Sequence, residues 1–340
     1  MGFTHVFSDG FYTSDNVDWN DVWTGSLTPS RQMYNEEEAL DFRALLTSDT
    51  DDTLVNINIP NTDRFDKLGE ISKADAKQIT RGKWHGVTDK FGGAYGYTYD
   101  SLKDMKLSDI EDTQAKMFDM DRKTMRFEII KAIMLDNGST AQCLWNGYFD
   151  SLENIAVPPP QGANEFVAGH DHYIVSGATT FTDLTLITTA ASHIREHGYE
   201  GRIACFINIA QDKEIADYLL ATSTSVQVSN PITNIMGADG IDWMGRLVGV
   251  DFIRTSSMPA GYCLFAGVDV TGGTTVAKFI ESHNSSFRGL ILVRGSNPDY
   301  PIIESYYMRY FGSRVFNRSL GVACQLKASG SYSNPSYYDV

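Results

Sequence analysis

The stretch His170–Gly201 reads HDHYIVSGATTFTDLTLITTAASHIREHGYEG. Two local structures are written into it. HDHYIVSGA is a short strand running into turn residues. TTFTDLTLITTAASHIREHG is a helix with Asp183 in its first turn and Gly198 as its stop. Leu184, Ile187, Ala191 and Ile194 fall within an arc of about 80° at 100° per residue, and form the expected core stripe. On the same wheel His193 and His197 point away from that stripe. His197 also sits at the helix C-terminus, where partial negative charge favours imidazolium.

The spacing of His193, Glu196 and His197 is H-x-x-E-H, the pattern of two zinc-ligand histidines and a catalytic glutamate. A zinc-dependent hydrolase is therefore one reading. Such a site needs a third ligand and an open position in a cleft, and the helical phase presents neither. His170 and His172 share one face of their strand. Ligand pairs on separate elements carry no assurance of convergence. The expectation is surface histidines at a helix end, with no metal and no cofactor.

Outward from this stretch, Arg202–Ala210 (RIACFINIA) is a continuous apolar run and reads as a buried central strand. A helix is expected over Gln211–Leu220. GRLVGVDFIRT, GYCLFAGV, GLILVRG and PIIESYYMRYF read as further strands. Upstream, TLVNINIPN alternates and ends at Pro60, as a half-buried strand does. Leu102–Leu135 is expected to be one long helix with an apolar stripe of Ile110, Met117, Met120, Ile130, Ile133 and Met134. Ser108 and Glu111 have capping-box spacing at its start, and Asn137-Gly138 stops it. Strands and helices do not alternate as βαβ units, so the class is α+β.

Three segments carry no core signal. Residues 1 to about 30 are aromatic and polar without a period, and Trp19 and Trp23 are too apolar to leave in water. This reads as an arm laid across another surface. Thr62 to about Gly96 is charged and Gly-rich, which is odd inside a compact domain. As a hairpin of two 15-residue strands it would reach roughly 50 Å at ~3.3 Å per residue. The polar tail SGSYSNPSYYDV is expected to be mobile.

The chain has 340 residues, 42% of them hydrophobic, enough for one to three structural regions. A formal net charge of −15 argues against broad contact with nucleic-acid phosphates. The four cysteines, Cys143, Cys205, Cys263 and Cys324, are far apart and lack a CxxC pair, which fits a reducing compartment. The N-terminus lacks the basic-then-apolar pattern of a secretory signal. No apolar run approaches the roughly 18 residues that span a membrane.

The search for catalytic patterns returns little. SDTDDT lacks the Gly and terminal Glu of a calcium loop. TGGTTVAK lacks the Gly-Lys-Ser/Thr ending of a phosphate loop, and there is no G-x-S-x-G elbow. Asp119 and Asp121 are two apart on a helix and read as solvated. The chain is expected not to be an enzyme.

An N-terminal arm, a long extended loop, a long helix, a mixed α/β region and a return strand stand in that order. This order resembles the major capsid proteins of tailed phages, with the Hong Kong 97-type fold. The histidine-tyrosine strand and helix ending in His-Gly at 170–201 are similar to that family's. So are IACFINIAQDKEIADYLL, MGRLVGVDFIRTSSMPAGYCLFAGV, YYMRYFGSRVFNRSLGVACQL and YGYTYDSLKDMKLSDIEDTQ. The resemblance covers roughly residues 50 to 327.

It implies the following layout. Residues 1–49 are an N-terminal arm and 50–100 an extended loop. Residues 101–180 are a peripheral domain with its spine helix, and 181–285 an axial domain. Residues 286–328 return to the peripheral domain, and 329–340 are the tail. Trp19, Trp23, Arg64, Lys67, Lys83, Trp84, Asn317 and Arg318 are the implied inter-subunit contacts. Some family members cross-link loop lysines to asparagines. The implied function is an icosahedral shell of hexamers and pentamers around double-stranded DNA, located in the virion and assembled in the bacterial host cytoplasm. Implied partners are further copies of the chain, a portal, a scaffold or protease, and a cement protein, with no membrane. A cellular nanocompartment shell of the same fold is the alternative.

Overall fold

The computed structural model describes residues 12–37, 43–58, 81–98, 101, 104–137, 143–144, 171–181, 184–211, 214, 242–268, 275–294 and 302–336. These residues fall into two compact units. The first comprises residues 1–39, 88–125 and 281–311; the second comprises 40–87, 126–280 and 312–340. This division differs from the layout implied by resemblance. Each unit is assembled from three separate stretches, and the boundaries fall inside a helix and inside a strand.

In the first unit, α1 (Trp19–Val22), a π-turn (Trp23–Leu27) and α2 (Thr28–Glu37) precede β4 (Asp89–Thr98) and the start of α4 (Leu107–Met134). The long strand β12 (Ile302–Val315) pairs antiparallel with β4 from Ile302↔Thr98 to Phe311↔Asp89. On its other side β11 (Ile291–Arg294) pairs antiparallel, from Ile291↔Met308 to Arg294↔Ser305.

The N-terminal segment, expected as an arm laid across another surface, packs over its described part on residues of its own chain. Val22 and Leu27 are buried with Tyr97 and Ile110, and Trp23 packs against them. Tyr34 is buried with Met117, Leu290 and Tyr307. Polar contacts fix the register. Ser26 Oγ donates to Glu111 at 2.7 Å, and Gln114 Nε2 donates to the Leu27 carbonyl at 2.7 Å. The missing period reflects a segment of short helical pieces, each contributing one or two anchors to a surface made by other residues.

The same segment caps α4. The Leu107 N–H donates to the Asp15 carboxylate at 3.2 Å, and the Lys106 N–H to the Asp109 carboxylate at 2.9 Å. These are donors that a helix start leaves without intrahelical partners. Carboxylates there also complement the helix dipole. The expected Ser108–Glu111 box is replaced by this arrangement. In the expected stripe, Met120 is exposed, while Met125 and Ile129 are buried in its place.

The second unit is built on a six-stranded sheet in the order β5 (Tyr173–Val175), β13 (Gly321–Gln325), β9 (Tyr262–Val268), β6 (Arg202–Asn208), β8 (Val250–Thr255), β7 (Asp242–Leu247). β6 lies between β9 and β8, parallel to β8 and antiparallel to β9. Ile203 to Ile207 are all fully buried, as the continuous apolar run predicts for a strand covered on both faces. Phe206, Phe252 and Phe265 fill the centre, each contributing about 1.5–3 kcal/mol by leaving water. All four cysteines are free and buried. α5 (Leu184–Glu196) packs with Ile187, Ala191 and Ile194 inward, and also with Leu186 and Ala190.

Two smaller pieces complete this unit. β1 (Thr47–Thr50), preceded by α3 (Arg43–Leu46), pairs parallel with β10 (Ala277–Glu281). β2 (Leu54–Asn58) and β3 (Arg81–His85) form an antiparallel pair from Leu54↔His85 to Asn58↔Arg81. Of the hairpin expected over Thr62 to about Gly96, residues up to 80 lie outside the described residues, and Asp89–Gly96 pairs instead with β12. Most of the expected helix 211–220 and His170 also lie outside the described residues.

The tail, expected to be mobile, is hydrogen-bonded over its described part. Tyr332 donates to the Met134 carbonyl at 2.7 Å, and Asn334 Nδ2 to the Asp136 carbonyl at 3.1 Å. Tyr173 donates from its hydroxyl to carbonyls at the same helix end, 3.1 Å from Ile133 and 3.0 Å from Leu135. These bonds take up carbonyls that the C-terminus of α4 leaves over. Among the described residues no helix is long and apolar enough to cross a membrane.

Candidate functional site

The residues offered as subunit contacts have distinct fates. Trp84, in β3, is only 1% exposed. Its Nε1 donates to the Val315 carbonyl at 2.8 Å, and its ring meets Phe316 edge-on at 5.7 Å. A side chain spent in this way has no surface left for a neighbouring subunit. Arg318 is buried too, with Nε donating to the Cys143 carbonyl at 3.1 Å. Asn317 is a turn residue: its N–H donates to the Val276 carbonyl at 3.0 Å and its Oδ1 accepts from Ser319 at 2.9 Å. Trp23 packs on the Val22–Leu27 cluster of its own unit. Within the chain, Trp84 and Arg318 therefore act as internal anchors. Lys83 pairs through its backbone with Asn56, and Trp19 opens α1. Arg64 and Lys67 lie outside the described residues.

Two buried polar clusters escaped sequence reasoning. In the first unit Arg309 is 1% exposed, and its guanidinium faces Asp121, whose side chain is 8% exposed. Arg309 Nε lies 3.0–3.1 Å from both Asp121 oxygens, and its Nη2 is 2.9 Å from Oδ2. Tyr34 donates to the same carboxylate at 2.9 Å, and Glu281 stands 3.5 Å from Arg309 Nη1. Asp119, two residues earlier, forms only an exposed pair with Lys123. The two acids do point different ways, but Asp121 points inward. A cavity of about 70 Å³ borders this cluster, lined among others by Met117, Thr124 and Tyr307. Burial pushes the Tyr307 hydroxyl well above the usual tyrosine range.

In the second unit three imidazoles gather. His172 is fully buried. Its Nδ1 is 2.6 Å from the Gly321 carbonyl, and its Nε2 is 3.0 Å from His197 Nε2. His193 lies over it, with ring centroids 5.8 Å apart and planes 16° from parallel. The expectation that His193 and His197 face away from the packed side of the helix is therefore wrong. The signal was there: Leu186, Ala190, His193 and His197 follow at four, three and four residues, which is one helical row. It is a second row, buried at Leu186 and Ala190 and half-buried at His193 and His197, beside the Ile187–Ala191–Ile194 row. It escaped notice because alanine and histidine score weakly as apolar. Among the described residues no three His, Cys, Asp or Glu side chains come together as a metal ion would need.

No protein-family model and no curated protein matches the chain. Solved structures do. One from Mycobacterium phage Patience is 20% identical, covers 97% of this chain and 94% of its own, and superposes with a TM-score of 0.63. The capsid structure of Cyanophage P-SCSP1u is 11% identical, with 84% and 86% covered and a TM-score of 0.49. A virus-like particle from Pyrococcus furiosus is 9% identical, with 89% and 99% covered and a TM-score of 0.48. The first is similar over nearly the whole of both chains, which establishes the architecture. The chain has the Hong Kong 97-type capsid fold. In this capsid fold the chain uses Trp23, Trp84 and Arg318 internally. Each of the two polar clusters sits inside one unit.

Proposed function

We propose that the chain is the shell-forming protein of a tailed double-stranded DNA phage. The observation that carries this reading is the capsid fold shared across 97% of the chain with the Mycobacterium phage Patience structure. In this reading copies associate head to tail into closed rings of five and six. Each copy makes several contacts at once, so closure is cooperative although single contacts are modest. The net charge of −15 suits a container that confines DNA without gripping its phosphates. The residues between β2 and β3 are the natural candidates for reaching a neighbour, with Trp84 anchoring the base of that hairpin. Portal, scaffold or protease and cement proteins would be the partners, and the virion the location.

Electron microscopy of the purified protein tests the proposal. Closed, icosahedral shells are the expected result. A chain that stays monomeric across salt and protein concentration would overturn it. Nucleic acid packaged during expression beside a terminase and portal would separate a phage head from a nanocompartment, which would enclose a protein cargo instead.

A further inference from the structure

The His172 pair has a proton arrangement that its geometry fixes. A backbone carbonyl can only accept, so the 2.6 Å contact to Gly321 requires a proton on His172 Nδ1. When His172 is neutral its Nε2 is then a lone pair. His197 Nε2, 3.0 Å away, must supply the proton between them. One further proton goes to His197 Nδ1, which leaves the shared hydrogen bond intact and makes it charge-assisted. A second further proton has only His172 Nε2 to occupy. Two N–H groups would then point at each other across 3.0 Å inside a packed core.

The pair joins separate elements. His172 immediately precedes β5, and its own carbonyl accepts from the Ala323 N–H of β13 at 2.9 Å. His197 follows the last residue of α5. We propose that His172 and His197 form a proton-operated latch, which holds the C-terminal end of α5 to the β5–β13 edge while one proton lies between the rings and releases it when both rings are fully protonated. This goes beyond the shell reading and does not depend on it.

The charged and titratable groups around the latch act in known senses. His193 stacks on His172 and adds like charge when protonated. Arg195, also on α5, disfavours further protonation, whereas Glu196 beside it and the carbonyl end of the helix favour the first added proton. Asp171 precedes His172, and its carboxylate accepts the Tyr173 N–H at 2.8 Å. Arg318, on the turn before β13, is turned to the Cys143 carbonyl. The Cys324 thiol of β13 is held neutral.

The sign follows from the proton count. The open form binds one more proton than the closed form, so closure strengthens as pH rises and is lost on the acid side of the imidazole range, about pH 6.5. The limiting slope is about tenfold in the closing equilibrium per pH unit. Hydrogen–deuterium exchange of the full chain between about pH 7.5 and 5, corrected for intrinsic rates, reads it directly. Protection of peptides covering Leu184–Gly198 and Gly321–Gln325 is expected to fall with pH, while the central strand Arg202–Asn208 stays protected. H197Q, whose amide can still donate to His172, is expected to keep the neutral-pH protection and lose the pH dependence. H193Q is expected to keep both. Unchanged protection in the unmodified chain, a fall shared equally by the central strand, or a wild-type profile in H197Q would each overturn the latch. Should H197Q lose protection at neutral pH, the localised fall in the unmodified chain alone decides.

Discussion

Gly92 and Gly93 are neighbours in β4, and a methyl group on each would meet a different obstacle. At Gly92 it would lie 2.8 Å from the Tyr307 carbonyl oxygen, part of the paired strand β12. At Gly93 it would lie 2.7 Å from the end of the Met117 side chain. Backbone in a ladder cannot retreat without breaking hydrogen bonds, whereas a methionine tip has three rotatable bonds to spend. Gly92→Ala is expected to destabilise by about 1–3 kcal/mol, and Gly93→Ala by under about 1 kcal/mol. Denaturant unfolding of both variants beside the parent checks the order; equal costs would show that Met117 is pinned. The sequence marked this stretch only as Gly-rich. Which glycine answers to backbone and which to a side chain depends on contacts with Tyr307 and Met117, on other elements, and composition does not carry them.

At the scale of elements, legibility followed the strength of the apolar signal. β6 was readable because every residue from Ile203 to Ile207 is apolar and buried. One row of α5 was readable for the same reason, and the row that ends in His193 and His197 was not. The tail was misread because its attachment is polar. Tyr332 and Asn334 work through hydrogen bonds to the end of α4, and such bonds leave no periodic trace. That difference is testable. Deleting residues 329–340 removes the donors to the Met134 and Asp136 carbonyls, together with the ring contact of Tyr332 on Tyr173 at 5.0 Å. A mobile tail would be lost without consequence. The truncation is instead expected to cost about 2–4 kcal/mol, and Tyr332→Phe about 0.5–1.5 kcal/mol of that, the worth of one hydrogen bond. Thermal melts of the two variants measure the split.

For the molecule as a whole, both units draw on stretches far apart in the chain, so neither forms until distant segments meet. Resemblance implied an arm, a loop, a peripheral domain, an axial domain and a return to the peripheral domain. By contacts, residues 12–37 belong to the first unit. Val22, Leu27 and Tyr34 from this segment are buried against Tyr97, Ile110, Met117, Leu290 and Tyr307. Each such side chain is worth about 1.5–3 kcal/mol of burial. Three of them, with the caps on α4, are comparable to the 5–15 kcal/mol that holds a typical domain together. A chain lacking residues 1–37 is therefore expected to fail before assembly begins, with the first unit binding hydrophobic dye and exchanging amides along residues 107–125. An arm that served only a neighbouring subunit would leave the isolated chain untouched and abolish shells alone. Exchange measured on the truncated and full chains under conditions that prevent assembly distinguishes the two. Protection of residues 107–125 that survives the deletion would mean that the segment earns its burial between subunits.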